Sequence, residues 1–249
     1  MKYKAFFLGT LVSFSGFSQT LTVNDPYRGR EIPVSIDFPS NAGSCKPDSK
    51  CRVAFISAGN KVPYTKYQFI SQLLNENGYM TVAVNHELPN DPPLSKQGDL
   101  YQTRIENWQR GAATLNFLQH ELPHQFSAYE FNDLTLVGHS NGGDISTWLT
   151  RDDNDYVRQL ITLDHKRVAL PKSEKVRVLS IRATEYPTKE GVLLTTSEQE
   201  AFGGCVVEIK DAKHMDLSDY GSLAVKQTTK DIVGGFLAGS ACDELQKQG

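Results

Sequence analysis

The 249-residue sequence predicts an α/β fold, a mostly parallel, doubly wound sheet in a single domain without a large cap, on three observations. Short β-branched or aromatic runs alternate with longer amphipathic stretches. Several of the short runs are apolar nearly throughout, as parallel strands covered on both faces are. No Gly/Ser linker, internal repeat or charge block divides the chain beyond its N-terminal stretch. With 39% apolar and 22% charged residues, the chain can bury one large core.

The elements follow in order. Lys2 and Lys4 precede an apolar run from Ala5 to Phe17 that is too short to span a bilayer, and Gly16 and Ser18 fit the small-residue positions of a signal-peptidase site. Residues 1–18 therefore read as a secretory signal peptide, a buried N-terminal helix being the alternative, and 19–249 as the folded domain. Arg28-Gly29-Arg30 reads as a turn between the first strands. Strands are predicted over Val34–Phe38, Val53–Ser57, Met80–Asn85, Leu134–Val137, Leu160–Leu163, Val176–Arg182 and Cys205–Ile209. Helical spacing predicts Tyr67–Asn77, closed by Gly78, then Tyr101–Leu122, a stretch after Ser140, and Ser222–Leu237.

Charge and cysteine usage narrow the functional classes. The 26 Lys and Arg against 29 Asp and Glu leave a formal charge of −3, which falls to −5 when Lys2 and Lys4 leave with the leader. Such a chain has no broad positive field for nucleic acid or an anionic membrane. No later segment holds 18 unbroken apolar residues, so no membrane association is expected of the mature form. Four cysteines fall in the exported part, and Cys45–Cys51 and Cys205–Cys242 are the favoured pairs of three possible connectivities. No Gly-rich nucleotide fingerprint and no Cys/His zinc spacing occurs, so neither a cofactor nor a metal is implied.

The chemistry concentrates in Leu134-Thr-Leu-Val-Gly138-His139-Ser140-Asn141-Gly142-Gly143-Asp144, a Gly-x-Ser-x-Gly directly after a strand and before a helix. A serine on so sharp a turn is held in strained geometry with a helix N-terminus beside it, which makes it a candidate nucleophile. A serine on such a strand-to-helix elbow takes its partners in the chain order Ser, acid, His, and of six histidines only His165 and His214 follow Ser140. His214, in the loop Asp211-Ala-Lys-His214-Met-Asp216 after the last strand, is preferred. For the acid, Glu185 follows the strand ending at Arg182 and is the first choice, with Asp164, one strand earlier, as the alternative. The N–H groups of Asn141 and Asn60 are candidate oxyanion donors, Gly59 allowing close backbone approach. Blander readings attach to Asp144 (a first-turn carboxylate favoured by the helix dipole), His86-Glu87 (structural hydrogen bonding), and Arg104 with Trp108 (packing and pairing on one helix face).

The chain resembles the α/β-hydrolases, and more narrowly exported bacterial serine hydrolases of esterase type, through "DPYRGREIPV", "YTKYQFISQLLNENGYMTVAVNHELPNDPPL", "GHSNGGD" and "KHMDLSD". The resemblance runs from about Asp25 to Leu237 and implies Ser140 as nucleophile and His214 as base; relatives carry Asp where this chain has Glu185. Lids in that family are often inserted between the strands carrying Ile161 and Val178, but only Asp164–Lys175 separates them here, so a shallow site is expected. The function implied is hydrolysis of a small-molecule ester through an acyl-enzyme. A peptidase or amidase of the same fold, or a non-catalytic binding member, are the alternatives, and the sequence leaves oligomeric state open.

Overall fold

The computed structural model of the chain describes residues 18–152 and 154–249; the apolar run assigned to a leader lies outside them. One eight-stranded sheet carries the fold, in the order β1-β2-β4-β3-β5-β6-β7-β8. Its strands are β1 (Ser18–Asp25), β2 (Arg30–Asp37), β3 (Cys51–Ser57), β4 (Tyr79–Val84), β5 (Tyr129–His139), β6 (Val157–Leu163), β7 (Arg177–Ala183) and β8 (Cys205–Ile209). The first three in space pair antiparallel, and every pair from β4 to β8 is parallel.

The apolar runs explain the layering. In β3, Val53 and Phe55 enter one core with Trp108, Leu115 and Ile145, while Ala54 and Ile56 enter the other with Ile70, Leu74 and Phe236. Successive residues of a strand face opposite sides, so a strand covered on both faces must be apolar at every position. The first core lies under α2 (Ile105–Glu121) and α3 (Asn141–Leu149), the second under α1 (Gln68–Glu76) and α5 (Leu223–Ala238). Both favoured disulfides, Cys45–Cys51 and Cys205–Cys242, are formed.

Three elements escaped the sequence reading. β1, with the pattern SQTLTVND, is an edge strand with one wet side, held in full register against β2 from Ser18 opposite Asp37 to Asp25 opposite Arg30. The turn between them fits expectation: Gly29 has φ +60°, and the Asp25 carboxylate accepts from Tyr27 N (3.1 Å), Arg28 N (3.2 Å) and Arg28 Nε (2.5 Å). The short helices α4 (Thr196–Phe202) and α6 (Cys242–Gln246) also went unread. For α4 the signal was present, a capping box in which Thr195 and Glu198 satisfy each other's backbone N–H. The predicted helix Tyr101–Leu122 is a 3-10 turn, Gln102–Arg104, followed by α2.

Two connections shape the site. Residues 164–176 join β6 to β7 with no inserted cap, as expected. Residues 85–101, between β4 and the 3-10 turn, run across the carboxyl end of the sheet. There the Asp91 carboxylate receives Arg30 Nη1 at 2.6 Å, Arg30 Nη2 at 2.9 Å and Leu88 N at 2.9 Å. This two-pronged, charge-assisted contact ties the loop to β2.

Candidate active site

Ser140 sits between the end of β5 and the start of α3 with φ 53° and ψ −121°, a conformation that costs a non-glycine residue about 1–3 kcal/mol. The fold holds it there: Ser140 N donates to Leu163 O (2.9 Å), and Ser140 O accepts from Asp144 N (3.1 Å). A Cβ on Gly138 would press on the Gly142 carbonyl, and one on Gly142 on the Ser57 and Ala58 carbonyls. The two glycines of the motif are thus required by main-chain contact on either side of the serine.

His214 opens the 3-10 turn His214–Leu217 after β8, and its Nε2 lies 2.8 Å from Ser140 Oγ. Its Nδ1 lies 2.5 Å from Asp164 Oδ2. The carboxylate on the imidazole is therefore Asp164, and the preference for Glu185 is corrected. β7 ends at Ala183 and the chain then turns outward, leaving Glu185 exposed with Oε2 accepting from the main-chain N of His214 at 2.9 Å. Asp164 instead ends β6 in a left-handed conformation, φ 50°, with its N–H on Ile181 O. That turn buries the carboxylate completely beneath the histidine.

Asp164 is crowded with donors. Besides the ring it receives Arg182 Nη2 (2.6 Å), Lys166 Nζ (2.9 Å) and the N–H of Ala183 (3.3 Å). Burial works against its charge, but the His214 hydrogen bond, Arg182 and Lys166 outweigh burial and hold the carboxyl below its ordinary value. The Asp144 side chain, on the first turn of α3, makes no hydrogen bond to Ser140 or His214. Its buried Oδ1 accepts from Arg167 N (2.8 Å) and Val168 N (2.9 Å), pinning the segment that carries Asp164, and burial pushes its carboxyl up to about 6.

A second network, unread in the sequence, ties three loops to the elbow. His139 Nε2 faces the carbonyl of His214 at 2.9 Å, so that nitrogen carries the proton. His139 Nδ1 must then accept, from Tyr67 Oη at 2.8 Å, and Tyr67 Oη in turn accepts from Gly59 N at 2.9 Å. Burial lowers the His139 pKa to about 3, so the ring stays neutral and keeps this assignment. The run Gly59 N–H, Tyr67, His139, His214 C=O spans from the loop after β3 to the His214 loop. Asp219 anchors the same loop to α1, its carboxylate accepting from Gln68 N (2.9 Å) and Phe69 N (3.2 Å).

Asn60 and Asn141 both line the cleft that holds Ser140 and His214, about 520 Å³ in volume. Among the described residues, neither main-chain N–H donates to a protein group. The Asn141 side chain is fixed by α2: Oδ1 accepts from Trp108 Nε1 (2.9 Å) and Nδ2 donates to Asn107 Oδ1 (2.8 Å). Trp108 is thus a support for the start of α3 as well as a core residue. His86 has the structural role expected, buried with Nε2 2.9 Å from Ser57 Oγ. Arg104, read as packing and pairing on its helix face, donates Nε to the Ser95 carbonyl of the 85–101 loop (2.9 Å) and also lines the cleft.

No protein-family model and no curated protein matches the chain. Solved structures do. An S-formylglutathione hydrolase from Agrobacterium tumefaciens superposes with TM-score 0.61 at 12% identity, over 91% of this chain and 96% of that one. A ferulic acid esterase from Streptomyces cinnamoneus gives TM-score 0.59 at 15% identity, over 90% and 88%. A dienelactone hydrolase from Anabaena variabilis gives 0.57 at 11%, over 91% and 99%. What is shared at such identities is architecture, and with the strand order and the strained serine after β5 it assigns the chain to the α/β-hydrolase fold.

Proposed function

We propose that the protein is a serine hydrolase acting on carboxylic esters, with Ser140 as nucleophile, His214 as base and Asp164 as the acid that orients it. The observation that carries this reading is the continuous contact from Ser140 Oγ through both ring nitrogens of His214 to a buried, charge-stabilised carboxylate. A hydroxyl at its ordinary pKa is a weak nucleophile. With Nδ1–H held by Asp164, Nε2 is free to accept the Ser140 proton as Oγ attacks the ester carbonyl. The imidazolium so formed lies against Asp164, which stabilises it without taking the proton. The N–H groups of Asn60 and Asn141 serve the oxyanion, and the positive end of α3 adds to them. His214 then protonates the departing alkoxide, and water deacylates Ser140 by the same route in reverse.

The esterase and hydrolase structures that share the fold support this reading, as does the absence of an inserted cap, which leaves the cleft accessible to esters of modest size. The leader-like N-terminus and the two disulfides support export, as a periplasmic or secreted enzyme with a small-molecule ester as its partner. No helix among the described residues is long and apolar enough to cross a membrane. Short p-nitrophenyl esters should be hydrolysed in preference to aminoacyl p-nitroanilides; turnover confined to the anilides would replace the ester reading with a peptidase.

A further inference from the structure

The catalytic cleft is lined by three cationic side chains, Arg104, Lys166 and Arg167, and by no carboxylate, in a chain whose formal charge is −3. Lys166 is already engaged, with Nζ on Asp164 Oδ2 and on Tyr186 O, both at 2.9 Å. Neither arginine forms an ion pair among the described residues. Arg104 makes one side-chain contact, Nε to the carbonyl of Ser95 at 2.9 Å. The Arg167 guanidinium has no hydrogen bond or ion pair among the described residues, its main-chain N alone being held, by Asp144. Burial first, then the Arg167 charge, lowers the Arg104 pKa, and the Asp144 carboxylate offsets part of this.

The buried Asp144 carboxylate, behind the lining, is the counter-charge the two share; with no carboxylate in the lining itself, two half-buried guanidinium groups facing the cleft are complementary to an anion. The placement is lopsided. A second cavity of about 270 Å³ continues the cleft past Lys166, Arg167 and Pro187 and adds Lys189; its one carboxylate, Asp99, accepts the N–H of Tyr101 at 2.9 Å. On the opposite side, beyond Asn60 and Leu94, the lining turns to Glu87 and Asp91 beside Lys61 and Lys96. One end of the site is therefore cationic and the other mixed.

We propose that the ester this site accepts carries a carboxylate remote from the scissile bond, seated between Arg104 and Arg167 while the carbonyl lies at Ser140. This rests on the ester-hydrolase reading and specifies its substrate class. The test uses two pairs of esters on the purified protein. Mono(4-nitrophenyl) adipate against its methyl ester places the charge in the acyl part, and 3-acetoxybenzoate against its methyl ester places it in the leaving group. The expected result is a kcat/KM ratio favouring the anion by about tenfold or more in one pair, the equivalent of about 1.4 kcal/mol. That ratio should fall with added salt and collapse toward one in Arg167→Gln and Arg104→Gln, while Arg167→Lys, which keeps the charge, retains part of it. Turnover of both members of each pair at equal rates, or a preference that survives both Gln variants, overturns the inference and leaves the esterase standing. No turnover of any of the four esters overturns the esterase reading itself.

Discussion

Two carboxylates approach the same histidine loop from adjacent strand ends, and they differ in everything but that proximity. Asp164, at the end of β6, is fully buried, adopts a positive φ and collects an imidazole, a guanidinium, an ammonium and a main-chain N–H. Glu185, beyond the end of β7, is exposed and holds the main-chain N–H of His214. A carboxylate can orient an imidazole only from a fixed position out of water, and burial of that charge is tolerable only where cations and N–H groups surround it. The end of β6 meets both conditions. The end of β7 meets neither, and its glutamate fixes the loop rather than the ring.

The sharpest way to break this comparison is to neutralise each carboxylate in turn. Asp164→Asn should lower kcat by about 10⁴-fold, since an amide cannot hold the required tautomer, while Glu185→Gln should cost less than about tenfold. Equal losses, or the reverse ranking, would return the acid role to Glu185. The same pair should separate in stability. Asp164→Asn leaves the buried Arg182 without its ion-pair partner and should cost about 3–5 kcal/mol in urea unfolding, whereas Glu185→Gln should stay within about 0.5 kcal/mol.

Three buried histidines extend the contrast to pH. Burial depresses His86, His139 and His165 to about 3 each, below the ordinary value of about 6.5, so the unfolded chain binds more protons than the native one between those limits. Their contribution to stability is complete above pH 6.5 and is lost as pH falls toward 3, each by at most about 1.4 kcal/mol per pH unit. Asp144, raised to about 6, runs the opposite way across pH 4–6 and offsets part of the loss. Urea midpoints measured from pH 7.5 to 4.5 should decline steeply, and a flat profile would contradict the neutral, buried state of these rings.

Smaller effects follow from the covalent and hydrogen-bonded supports. Removing Cys205–Cys242, which spans 37 residues, should cost about 4 kcal/mol by loop entropy, and removing Cys45–Cys51, which spans 6, about 2. Thermal unfolding of the two Cys→Ser pairs would show whether the ranking holds. Tyr67→Phe breaks the link between Gly59 and His139 and leaves the Gly59 N–H and His139 Nδ1 without a partner, a loss of about 1–3 kcal/mol in stability. It should also reduce kcat more than it raises KM, because the loops it joins carry Asn60 and His214.

The pairing of Ser140 with His214 was legible because its signals are local. A strand, two glycines that main-chain contacts require and a helix start stand next to one another in sequence, and only one late histidine follows the last strand. The carboxylate on the imidazole was not legible in that way. Asp164 and Glu185 each follow a strand, and what separates them is the positive φ at Asp164 and the cations gathered from Lys166 and Arg182, neither of which has a local signature. The parallel strands were read because covering both faces demands continuous apolar runs, as in Val53–Ile56. β1 was missed because an edge strand with one wet side alternates weakly. Tyr67 and Asp219 lie in two of the segments that carry the family resemblance, but their partners are far away in sequence, and only the folded chain brings them together.

The most direct measurement is labelling of the purified protein with a fluorophosphonate probe, followed by mass mapping of the modified peptide. The account predicts one adduct per chain, on Ser140, abolished in Ser140→Ala and slowed strongly in Asp164→Asn. A folded protein that takes no label, or takes it on another residue, would contradict the assignment of Ser140 as an activated nucleophile.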